Sequence, residues 1–309
     1  MSDLRQRVPG HSLIEQLLRE WDLGNIYVGS AAGEIVIDDE ARGWYLGVHG
    51  ERWVATRLAM LGPEYTVLHS VPIGSGNSDI DHVVIGPTGV FTINTKYSPG
   101  KDVWCAGWGV YVGGRAENHY IRNLDFEVRR AAQRLARASG APELNVTGLL
   151  VFVDPRHMSR KAPPGDGTRD LRVISDAELL EAISGPTVFT LAQVAKLSEA
   201  AVRPETWHDA PHESTVGSHI ALEFVALEEA VGPVAIPVKK PVGNPPTAPR
   251  DSIWTTVAAS RPPQPAARRP GGRASKRKKT SPLESIVAYG LLFCFGWWLL
   301  TWVPALLTR

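Results

Sequence analysis

The segment from Asp79 to Lys96 constrains this chain more than any other. Two apolar runs, centred on Val83-Val84-Ile85 and Val90-Phe91, flank Gly86-Pro87-Thr88-Gly89. That pattern predicts an antiparallel hairpin with a four-residue loop. If Ile85 faces Val90, Asp81 falls opposite Asn94 and Asp79 opposite Lys96. Side chains alternate along a strand, so all four then share one face. A polar quartet thus collects at one end of an otherwise apolar hairpin.

The flanking sequence supplies the other layers. Glu51, Val54, Ala55 and Leu58 follow helical spacing from about Gly50 to Leu61, which places Glu51 at a predicted helix N-terminus. There it either serves chemistry or favours the helix dipole. Residues 65–71 read as a strand, as do Val103-Trp104 and Trp108–Val112 around a turn. Residues 121–138 read as a helix, and Gly148–Val153 as a central strand buried on both faces. Leu171–Ile174 is a further strand, after which Ser175 caps a helix to Ile183. The expected class is α/β, a mixed central sheet flanked by helices.

Two chemistries suit the quartet. Carboxylates and an amide oxygen are the ligands a hard cation such as Mg²⁺ takes, and a nearby lysine can orient a water or stabilise charge on a phosphate. Alternatively, Asp79 and Lys96 form a cross-strand ion pair while Asp81 caps a turn. His82 faces away from the quartet and reads as structural. Cys105 reads as core packing.

Gly47-x-x-Gly50-Glu51, then Ile80-Asp81-His82-Val83-Val84-Ile85-Gly86-Pro87-x-Gly89-Val90-Phe91, then a strand ending Thr95-Lys96, together resemble the NERD (nuclease-related) domain. The resemblance is close over about 43–137 and extends weakly to 207. It implies a restriction-endonuclease-like fold of the PD-(D/E)xK type. It also implies that Glu51, Asp81 and Lys96 are catalytic, and that Glu51, Asp81 and position 94 hold Mg²⁺ or Mn²⁺. Nothing implies a small-molecule cofactor. The family pattern has an acid where this chain has Asn94, which can ligate a metal but brings no charge. Asp79 shares the face and is a source for the missing charge. Arg130, Arg134 and Arg137 follow i, i+4, i+7 on the helix. They form either a solvated face or a contact for a nucleic-acid backbone.

The rest of the chain bears on location. Residues 286–307 carry no charge over 22 positions, long enough for a helix across a bilayer core. Eight basic side chains and no acid lie between 261 and 279, while only Arg309 follows the apolar run. The positive-inside rule then places the N-terminal part in the cytoplasm, with a single-pass anchor in the cell membrane. The basic cluster serves topology and lipid headgroups, or else tethers nucleic acid. Nothing near Met1 resembles a signal peptide, since Glu15, Arg19 and Glu20 interrupt the first apolar stretch.

Ten of the 24 prolines lie between 233 and 270, as in an extended linker. The expected organisation is a peripheral extension (1–42), a nuclease-related domain (43–207), a disordered linker (208–282) and an anchor (283–309). The extension carries one short helix near Ser12–Trp21 and a strand at Glu34–Ile37.

Composition excludes other classes. With 43% hydrophobic and 21% charged residues, the chain is neither wholly disordered, collagenous nor a multi-span membrane protein. Two cysteines exclude a disulfide scaffold and a CxxC-paired zinc site, and suit a reducing compartment. Residues 43–207 hold 17 bases and 17 acids, so the body has no global basic field. The expected function is metal-dependent phosphodiester hydrolysis of DNA or RNA at the cytoplasmic face of a membrane. The alternative is an inactive nuclease-like module that binds nucleic acid or protein there.

Overall fold

The computed structural model describes residues 3–28, 35–76, 78–210 and 216–231. A 3₁₀ turn at Leu4–Gln6 leads into helix α1 (His11–Asp22). Strands β1 (Ile26–Val28) and β2 (Ile35–Ile37) pair antiparallel, and helix α2 (Asp39–Leu58) follows. Next come β3 (Thr66–Pro72), β4 (Asp79–Gly86) and β5 (Gly89–Tyr97), then β6 (Asp102–Gly107), β7 (Gly109–Val112) and β8 (Arg115–Ala116). Helix α3 (His119–Ser139) precedes β9 (Val146–Val153), β10 (His157–Pro164) and β11 (Leu171–Ser175). Four helices close the described chain: α4 (Leu179–Ile183), α5 (Leu191–Ala201), α6 (Pro204–Trp207) and α7 (Gly217–Val231).

The main sheet runs β11-β9-β5-β4-β3. Its first three strands are parallel, while β4 and β3 add antiparallel pairs, so the sheet is mixed. One face packs on α3 through Val83, Ile85, Val90, Leu150 and Phe152; the other packs on α2 through Val84, Phe91, Ile93, Leu149 and Val151. β9 lies between β5 and β11 and is apolar on both faces, as its sequence implies. A second sheet, β10-β6-β7-β8, stands beside it, with the Cys105 thiol buried in the core.

The β4–β5 hairpin has the expected register, with Ile85 opposite Val90 and His82 opposite Ile93. The turn is tighter than four residues because Gly86 also pairs with Gly89. A Cβ on Gly86 would run into the Tyr65 ring at 2.1 Å, so only glycine carries the strand that far. Ser175 caps as expected: its hydroxyl and N–H both donate to Glu178, in a capping box.

Three expectations change. Helix α2 begins at Asp39, eleven residues before Gly50, so Glu51 lies well inside it and the dipole explanation fails. Within the extension expected at 1–42, residues 3–28 are no mere periphery. α1 packs on α2, and Leu4 N–H donates to the Val202 carbonyl at 2.9 Å. The linker does not start at 208. His208 bridges Gly74, and α7 buries Ile220 and Phe224 in a cluster with Ile14, Leu17, Tyr45 and Val48. Proline spacing marked the later residues, but the i, i+4 pair Ile220 and Phe224 was enough to recruit this stretch into the core. The prolines from 233 onward and the run 286–307 lie outside the described residues. Among the described residues, no helix is long and apolar enough to cross a membrane.

Candidate functional site

The candidate site lies where β4 and β5 separate, between α2 and α3. Two glycines on α2 create its first wall. A Cβ on Gly47 would stand 2.8 Å from Leu13 of α1, and one on Gly50 would stand 3.1 Å from Tyr97 Cβ of β5. These close approaches set Glu51 against both neighbours. Its side chain is buried, and Oε2 accepts the Gly10 N–H at 3.0 Å and the Ser70 hydroxyl at 3.4 Å. Gly10 is the N-cap of α1 and has φ of 77°, and Glu51 takes up the N–H of this cap residue.

Ser70 is a hub. Its φ is 46°, its hydroxyl accepts the His11 N–H at 3.0 Å, and its carbonyl accepts Arg7 Nε at 2.7 Å. Arg7 also donates to Ser12, and Ser12 donates to Asp79. The N-terminal segment therefore covers the Glu51–Asp79 side of the site. Asp79 makes no ion pair with Lys96, and its nearest cationic influence is Arg7, so the cross-strand-pair reading fails.

The expected quartet is only partly realised. The β4–β5 ladder ends at His82–Ile93; one residue further, the Asp81 carboxylate accepts the Thr95 N–H, a position the partner strand's carbonyl would otherwise fill. β4 thus leaves β5 at Asp81, while β5 stays paired with β9 through Tyr97. Lys96 extends over the Tyr120 ring, 5.0 Å from its centroid, in a cation–π contact. Asn94 donates from Nδ2 to Glu127 Oε1 of α3 at 2.9 Å.

Glu127 is the site residue that sequence reasoning missed. Its signal was present: it lies between Leu124 and Val128 on the apolar stripe of α3, where an acid is out of place. Its neighbour Asp125 is held by Arg169 and Arg129, whereas Glu127 receives only the Asn94 amide. Glu127 Oε2 and Asn94 Oδ1 are buried without a hydrogen-bond partner among the described residues.

These groups sense one another. Burial raises Glu51 well above the ordinary carboxylate range, and the charges of Asp81 and Asp79 add to the shift; Gly10 N–H and Lys96 oppose it. Asp81 is raised to about 6, by burial first and by Asp79, with Lys96 and Thr95 pulling it down. Burial, then the Asp81 charge, pushes Glu127 up to about 8. Asp79 is raised by burial, against the Ser12 hydrogen bond and the Arg7 charge. Lys96 thus opposes the rise at Glu51, Asp81 and Glu127, while the Asp81 charge adds to it at both glutamates.

Two other groups have structural partners. His82 is buried, with Nδ1 2.8 Å from His69 Nδ1; burial lowers both imidazoles, His69 to about 4. The arginine stripe is divided. Arg134 pairs with Asp209 at 2.7 Å, and Arg130 lies over the Phe126 ring near Gly74. Arg137 is exposed.

Among the described residues, no three His, Cys, Asp or Glu side chains form a ready metal cage. Mg²⁺ does not need one, because it keeps several waters and takes one or two carboxylates. The unpartnered oxygens of Asn94 and Glu127 beside Asp81 are hard donors of that kind, so the donor chemistry fits a hard divalent cation.

Residues 46–153 match the family model for NERD, the nuclease-related domain. The matched span contains Glu51, Asp79, Asp81, Asn94, Lys96 and Glu127, but not Gly10 or α7. No curated protein and no solved structure matches the chain.

Proposed function

We propose that this chain hydrolyses phosphodiester bonds of DNA or RNA with the help of Mg²⁺ or Mn²⁺, on a restriction-endonuclease-like PD-(D/E)xK scaffold. The reading is carried by one observation: Asp81 binds the backbone N–H of Thr95, the residue before Lys96, at the point where β4 leaves β5, within the nuclease-related span. Asp81 and Asn94 are the oxygen ligands. A bound cation would polarise the phosphoryl group and acidify a water. Lys96, held by Tyr120, stabilises charge on the phosphate or orients the water. Glu51 ties the N-terminal segment to the site. Arg137, with Arg130 and Arg134 beside it, approaches the nucleic-acid backbone.

The apolar run 286–307 anchors this body to the cell membrane, with the described residues on the cytoplasmic side. The organisation then reads as an N-terminal segment and domain to about 231, a proline-rich basic linker, and the anchor from 283.

A second reading is favoured by Asn94 and by the lack of a ready three-residue cage among the described residues. In it, the same domain binds nucleic acid or protein without cleaving. Incubating the full chain with labelled single- and double-stranded DNA and RNA, in Mg²⁺, Mn²⁺ or EDTA, separates the two. Cleavage that needs the cation and disappears in Lys96→Ala supports hydrolysis. Binding without cleavage in every condition supports the second reading.

A further inference from the structure

Position 94 is where the nuclease-related pattern calls for a negative charge, and the chain places an amide there. The structure shows what that amide does. Asn94 spends Nδ2 on Glu127 Oε1, which fixes the carboxylate and leaves Asn94 Oδ1 and Glu127 Oε2 both buried and unpartnered. Glu127 is only 8% exposed. One amide hydrogen bond is poor compensation for a buried carboxylate, which is normally paired or coordinated. Nearby Asp125 meets that expectation through two arginines. Glu127 has no such cation and instead senses Asp81 and Lys96.

We propose that Glu127 supplies, from α3, the carboxylate missing at position 94, and that Asp81, Asn94 Oδ1 and Glu127 Oε2 together hold the divalent cation. This rests on the hydrolytic reading above and extends it. The acid then stands on the helix instead of the strand, and the amide at position 94 orients it. Asp79, which strand alternation puts on the same face, does not take this role, because Ser12 and Arg7 already engage it. Asn94 is then no defect. It is one half of a pair whose other half lies 33 residues further along the chain.

The test is titration of Mn²⁺ into the full chain by calorimetry, with the Mn²⁺-induced rise in melting temperature as a second readout. Four proteins suffice: wild type, Asp81→Ala, Glu127→Gln, and the double variant Asn94→Glu/Glu127→Gln. Glu127→Gln keeps an acceptor for Asn94 Nδ2. The double variant keeps the pair's hydrogen bond with its polarity reversed. We expect wild type to bind and Asp81→Ala to lose binding. Glu127→Gln should bind at least about tenfold more weakly, and the double variant should recover most of that loss. If Glu127→Gln binds like wild type while Asp81→Ala does not, the role of Glu127 is overturned and the metal site stands. Should wild type fail to bind Mn²⁺, the hydrolytic reading and this inference fall together.

Discussion

Two buried glutamates face the separation of β4 and β5 from opposite sides, and the protein treats them differently. Glu51, on α2, accepts a backbone N–H and a hydroxyl and so joins the N-terminal segment to the sheet. Glu127, on α3, has one amide and an oxygen left over. Both are raised by burial, so charge alone does not distinguish them. Partnering does. A buried acid whose neighbours are donors holds architecture together, whereas one with an unmet oxygen beside other acids carries an uncompensated burial cost.

The largest effect should come from breaking the Glu51 side. Glu51→Ala strips the Gly10 N–H and the Ser70 hydroxyl of a buried acceptor and leaves a cavity. We expect a loss of about 3 kcal/mol in urea unfolding. Protease should then cut residues 3–28 early. Glu51→Gln keeps an acceptor and should stay within about 1 kcal/mol of wild type.

On the other side the sign reverses. The Glu127 pKa is raised in the fold, so its favourable contribution is complete below its unfolded value and is lost as pH climbs toward about 8. Glu127→Gln removes that dependence. In EDTA it should be more stable than wild type by about 2 kcal/mol at pH 8, and the gap should close as pH falls toward 4.5. A gap independent of pH would show that Glu127 is not destabilised by its burial.

Smaller effects test the supports of each wall. A Cβ on Gly148 would meet Val128 at 2.6 Å and Leu124 at 3.0 Å, the side chains that seat α3 on β9. Gly148→Ala should cost about 1–2 kcal/mol by overpacking, read from the urea midpoint. Arg134→Ala breaks an ion pair with the exposed Asp209 and should change stability by less than about 1 kcal/mol, with that difference shrinking in high salt.

The sequence made one of these walls easier to read than the other. The hairpin register followed from alternation around Gly86 and Gly89, because a slip of one residue would invert the buried face. Likewise, Ser175 announced a helix start, which the structure completes with Glu178 in a capping box. Asp81 and Lys96 were legible because strand periodicity relates residues within one hairpin. Glu127 was not, because its meeting with Asn94 depends on how α3 crosses β5, which no local period encodes. The start of α2 was hidden by Gly43, Gly47 and Gly50, poor helix formers retained here for close packing at the latter two. β10 is largely exposed and ends in prolines, so it lacked a strand's usual apolar alternation. The cover formed by Arg7, Gly10 and Ser12 was equally silent, since it acts through backbone groups and a distant serine.

The most direct test is anomalous scattering from crystals of the full chain soaked in Mn²⁺. The account predicts a peak within coordination distance of Asp81, Asn94 Oδ1 and Glu127 Oε2, with Lys96 facing it and Glu51 still bound to Gly10. A peak that Glu127 does not touch, or no peak in crystals whose site is open to the soak, would contradict it.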